Sequence, residues 1–158
     1  MASWLQRLFQ SGAQSDALDK VLATQAVNFD SAVSQQSGLD FNAAINAHLA
    51  WKKRLDDLLT SPNGREALDP LHVCRDDQCD LGKWIHGNAA RIYSTNESFS
   101  RLRKVHADFH QAAAKVITLA QAGKDEEAQE ALHTGDFARN SNRVKTELSR
   151  MYLDLGGS

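Results

Sequence analysis

Two cysteines and two prolines in 158 residues leave little of what several protein classes need. Two thiols do not build the disulfide framework of a small secreted domain, and the first residues hold no long apolar stretch of the kind a signal peptide or membrane span requires. The expected compartment is the reducing cytoplasm, without stable membrane insertion. Scarce proline removes the usual helix breaker, β-branched runs are few, and Ala, Leu, Gln, Glu and Arg are abundant, which favours helix throughout. Charge of neither sign dominates: 18 basic residues face 20 acidic ones and no block of like charge occurs. Nucleic acid and anionic lipid are therefore not the expected partners, and protein is. Internal repeats and low-complexity tracts are also lacking. The length suits one domain with a short appendage, able to bury a core without disulfide staples.

What is present is a succession of amphipathic segments. Residues 1–12 carry Trp4, Leu5, Leu8 and Phe9 at helical spacing, expected to dock on the domain or a partner rather than to anchor in a membrane. Leu18, Val21, Leu22 and Ala26 support a second helix, and the polar run Ser34 to Gly38 has the composition of a joint. The chain accordingly divides into an N-terminal helical extension, 1–37, and a domain, 38–155. Asp40 caps a helix running to about Leu59, where Ser61-Pro62-Asn63-Gly64 stops it. Residues 61–78 read as a long connection that something must tie down. A helix from about Asp80 to Tyr93 points Leu81, Trp84, Ile85, Ala89 and Ile92 inward, with Gly82 allowing close backbone approach. The longest helix runs from about Ser98 to Ala122, ended by Gly123. Short and long final helices begin at Asp125 and near Asp136, the last with Val144, Leu148, Met151 and Leu155 on its core face. The fold class is all-α, a four-helix-bundle-like domain with short additional helices.

Histidine interrupts two of the apolar stripes. His106 and His110 lie four residues apart in the longest helix, on a stripe of Phe99, Leu102, His106, Phe109, Ala113, Val116 and Ala120. That spacing stacks both rings on one face. His48 falls in the series Phe41, Ala44, His48, Trp51, Leu55, Leu58, and Cys79 opens the helix beginning Asp80-Leu81-Gly82-Lys83-Trp84. A lone core histidine is usually just hydrogen-bonded, and a lone cysteine is usually a small buried hydrophobe. Together, however, three imidazoles and one thiolate make up a tetrahedral zinc set. His86 is expected to be exposed or to donate to the site from outside. His72 and Cys74 are expected in the connection as an exposed ring and a semi-exposed thiol, and His133 as a stabiliser of a helix end.

The sequence resembles the chemoreceptor zinc-binding domain family over about residues 38–155. The resemblance rests on Ala47-His48-Leu49-Ala50-Trp51-Lys52, Cys79-Asp80-Leu81-Gly82-Lys83-Trp84 and Val105-His106-Ala107-Asp108-Phe109-His110. It implies zinc held by His48, Cys79, His106 and His110, in a cytoplasmic helical bundle, often a homodimer, that serves a chemotaxis receptor or a diguanylate cyclase. Neither a methyl-accepting coiled coil nor a cyclase domain is present in these residues, so the expectation is a stand-alone member.

A closed set of four protein ligands leaves no position for water or substrate, which disfavours hydrolytic chemistry. The helix motif agrees, because the place of the general base in an H-E-x-x-H protease is filled here by Ala107. Ser-His-Asp order, a Gly-rich phosphate loop and a Walker sequence are missing too. The expected function is therefore sensing and not catalysis: zinc or oxidants are read through Cys79, the ligand that oxidation can remove. The alternative is a hemerythrin-like di-iron bundle binding oxygen. That site needs carboxylates on core stripes, whereas Asp56, Asp57 and Glu130 fall mainly off them. A third reading makes Cys79 a labile cover over a catalytic zinc.

Overall fold

The computed structural model describes Phe29, residues 31–61 and residues 63–156. The expected helices within 1–12 and 16–27 lie outside the described residues. Eight helices follow in order among the described residues: α1 Ser31–Ser37, α2 Phe41–Thr60, α3 Pro70–Val73, α4 Asp80–His86, α5 Asn88–Ile92, α6 Glu97–Gln121, α7 Asp125–His133 and α8 Asp136–Gly156. Strands are absent from the described residues. The architecture is all-α and bundle-like. No described helix is long and apolar enough to cross a membrane.

The three long helices, α2, α6 and α8, pack on one another around the core. Two of them, α2 and α6, have local start and stop signals. Asp40 accepts from the Ala43 amide at the start of α2, and Asn96 accepts from the Phe99 amide at the start of α6. Gly123 ends α6 at φ +72°, with Lys124 N–H bonded to Leu119 O and Gly123 N–H to Ala120 O. That left-handed cap is one only glycine adopts freely. The seven residues of the α6 stripe are all buried, and so is His110 beside them. On α8, Val144, Leu148 and Met151 are fully buried with Phe137, while Leu155 is half-buried. Each such side chain contributes roughly 1.5–3 kcal/mol on removal from water.

Three expectations need correction. The polar run before Gly38 is helical, as α1, and the turn is confined to Gly38–Asp40; Gly38 at φ +73° makes it. Phe29 stacks on Phe41 and Tyr152, and Trp84 Nε1 donates to Ser37 O at 2.8 Å, so tertiary contacts hold α1 where composition favours a turn. The segment Asp80–Tyr93 is two helices broken at Gly87, and the break turns Ile92 out to 60 % exposure while Ala89 stays buried. The long connection contains α3, with Asp69 as cap and Pro70 in the first turn. It is also pinned at residues other than Cys79. Gln121 Nε2 donates to Arg65 O and Leu68 O, and Arg65 reaches Ala120 O and Asp125.

Candidate metal centre

Local sequence aims each donor. His48 on α2 and the pair His106 and His110 on α6 occupy core positions because their neighbours in the helical period are apolar. Cys79 is the N-cap of α4, its Sγ accepting from the Gly82 amide at 3.3 Å. Trp84, one turn on, packs against Tyr93 and Phe99 and so holds α4 to α6. These elements bring one donor atom from each of His48, Cys79, His106 and His110 to within 4.8 Å of one another. Sγ of Cys79 lies 3.3 Å from Nε2 of His106 and 3.7 Å from Nε2 of His110.

Two of the rings are oriented by carbonyls, which can only accept. Nδ1–H of His48 donates to Ala44 O at 2.6 Å, and Nδ1–H of His110 donates to Val73 O at 2.8 Å. Both therefore keep an unprotonated Nε2 for a cation. Burial pushes all three imidazole pKa values down, with the neighbouring rings adding repulsion at His106 and His48; His106 is lowered to about 2. The rings are neutral at physiological pH, as metal ligation requires. Burial pushes the Cys79 thiol up, opposed by the amides of Gly82 and Leu81. A bound cation inverts that bias, because a coordinating thiol is deprotonated outright. The donor set thus fits a tetrahedral zinc ion, three imidazoles and one sulfur with no carboxylate among them.

The other candidates are placed elsewhere. His72 is exposed, and Cys74 is half-buried with its thiol donating to Leu71 O. His133 does more than mark a helix end, since its Nε2 meets Asp56 on α2 at 3.0 Å. Glu147 is a buried carboxylate on the α8 stripe that sequence reasoning passed over, but Arg101 and Arg150 neutralise it. It takes no part in the donor cluster. Asp56 is half-buried and Asp57 and Glu130 are exposed, so the bridging carboxylates of a di-iron site are not supplied by them. Asp76 was also missed. It lies three residues before Cys79, with Oδ2 2.9 Å from His86 Nε2 and 4.0 Å from His106 Nδ1. His86 is exposed, as expected, yet reaches toward the centre through this carboxylate.

A helical body enclosing a three-histidine, one-cysteine cluster is a zinc-binding protein in chemical terms. Residues 48–117 match the model of the chemoreceptor zinc-binding domain family, a stretch that takes in all four donors. Zinc is the cofactor that the family and the cluster together support. Nothing matched among curated proteins or among solved structures.

Proposed function

We infer that His48, Cys79, His106 and His110 are the four ligands of a structural zinc ion, and that the domain is a cytoplasmic sensor whose switch is Cys79. The observation that carries this reading is the convergence of the four donors from three separate helices within 4.8 Å. Bound zinc supplies cross-linking of α2, α4 and α6 and a deprotonated sulfur. The protein's own part is to keep the imidazoles neutral and oriented and to leave the sulfur reachable. Cys79 is only half-buried, and it lines a surface cleft together with Trp51, Arg54, His72, Arg75 and His110.

A two-electron oxidant such as a peroxide converts the thiolate to a sulfenic acid, the O–O bond breaking and hydroxide leaving. Three imidazoles then remain as ligands. Cys79 is also the cap of α4, so its loss from the centre frees the start of that helix, and the change is available to a partner surface. The partner class is a chemotaxis receptor or a cyclic-di-GMP-forming cyclase, following the family, with the chain acting as a homodimer. Residues 38–155 form the zinc-binding unit in this reading and residues 1–37 its extension.

The test is elemental analysis of the purified chain, beside zinc release to a chromogenic chelator on peroxide treatment. A zinc ion per chain, released by peroxide in the wild type and not in Cys79→Ala, is the expected result. Iron in place of zinc, or no metal, overturns it.

A further inference from the structure

His48 and His110 each hand their Nδ1 proton to a backbone carbonyl, but His106 has no such acceptor: its Nδ1 is buried and without a hydrogen-bond partner among the described residues. A neutral imidazole whose Nε2 faces Cys79 and the centre carries its proton on Nδ1, and a buried N–H of that kind demands an acceptor. The Asp76 carboxylate is the group placed to supply one, with Oδ2 4.0 Å away. A side-chain adjustment of about 1 Å brings the pair into hydrogen-bonding range. We propose that Asp76 is the positioning residue of the metal centre, accepting the Nδ1 proton of His106 and so fixing that ring with Nε2 turned to zinc. This rests on the ligand assignment given under Proposed function.

Asp76 is held in place from α4, the helix that Cys79 caps. A Cβ at Gly82 would meet Asp76 O at 1.7 Å and Asp76 C at 2.8 Å, so the loop lies directly on the first turn and only glycine admits it. One turn later His86 donates Nε2–H to Asp76 Oδ2 at 2.9 Å. Backbone approach at Gly82 and the His86 hydrogen bond thus seat the carboxylate between an outer and an inner imidazole. The same helix therefore carries the sulfur ligand and orients an imidazole ligand on α6.

The experiment compares the full-length wild type with Asp76→Ala, Asp76→Asn and Asp77→Ala. Zinc affinity is read by competition with a chromogenic chelator, and the His106 tautomer by long-range proton–nitrogen correlation in the zinc-free proteins. Asp76→Ala is expected to weaken zinc by about 10- to 100-fold and to shift the His106 nitrogen signals toward a mixture of tautomers. Asp76→Asn keeps an acceptor oxygen and is expected to restore the Nδ1–H tautomer with part of the affinity. Asp77→Ala, the next residue and one paired with Arg75 instead, is expected to change neither. Unchanged zinc affinity and unmoved His106 signals in Asp76→Ala, with zinc bound by the wild type, overturn this proposal and leave the ligand assignment standing. Equal losses in Asp77→Ala overturn it too, because they would report the loop and not the carboxylate. A wild type that binds no zinc overturns both.

Discussion

Sγ of Cys79 and Nε2 of His106 lie 3.3 Å apart although 27 residues separate them in the chain. The approach joins the cap of a seven-residue helix to the middle of the longest one. Whatever removes the sulfur from the centre therefore acts on α4 as a whole.

His106→Ala and His110→Ala should lose most of their zinc. Structural zinc supplies roughly 10 kcal/mol or more of apparent binding energy in small domains, so each variant should also lose several kcal/mol of stability. Metal content and thermal unfolding check this. Full zinc content with an unchanged melting curve in either variant would remove that ring from the ligand set.

Cys79 has two roles that separate by substitution. Cys79→Ser keeps an oxygen for the Gly82 amide while losing the soft ligand, whereas Cys79→Ala loses both. Both should hold zinc weakly and release none in response to peroxide. With zinc removed, the alanine variant should be less stable than the serine variant by about 1 kcal/mol, the usual value of an N-cap. Denaturant unfolding of the zinc-free proteins measures the difference.

Gly82→Ala should be among the most damaging single-methyl changes in the chain. Its Cβ would fall 1.7 Å from Asp76 O, a backbone atom that cannot rotate away. Overpacking of this kind costs about 1–3 kcal/mol or more. A variant that unfolds at the wild-type denaturant midpoint would show that the loop yields freely.

Acid should destabilise the zinc-free protein. Burial lowers the pKa values of His48, His106 and His110 in the folded state, His106 to about 2, below the ordinary 6.5. Below that ordinary value the unfolded chain binds more protons than the folded one, so stability falls as pH falls, by up to about 1.4 kcal/mol per pH unit for each ring. The loss begins near pH 6.5 and continues toward the folded values. Bound zinc should offset it until protons displace the metal. Urea titrations between pH 7.5 and pH 5, with and without zinc, test the sign, and greater zinc-free stability at the acid end would reverse it.

Trp84→Phe should loosen α1 from the bundle. The indole N–H donated to Ser37 O at 2.8 Å is lost while the ring stacking on Tyr93 and Phe99 largely persists. A cost of about 1 kcal/mol is expected, the ordinary net value of such a bond. Amide exchange over residues 31–37 should accelerate, and unchanged protection there would mean that Phe29 and Val33 hold α1 alone.

The sequence by itself determined the long helices and the three inward imidazoles, because both are written in local periodicity. An imidazole four residues from another, on a stripe otherwise of Phe, Leu, Val and Ala, faces inward wherever the helix packs. Asp40, Asn96 and Gly123 are likewise local instructions for starting and stopping. Tertiary structure alone decided what depends on distant backbone. Gly87 breaks a pattern whose periodicity runs on through it, and Phe29, Tyr152 and Trp84 keep α1 helical where composition favours a turn. Glu147 is buried on an apolar stripe where Arg101 reaches it from another helix beside Arg150 of its own. Asp76 shows the limit most clearly: nothing in the loop's composition marks it. Its place beside His106 follows from the packing of that loop on Gly82 and from the His86 ring, groups that meet only once α4 has docked.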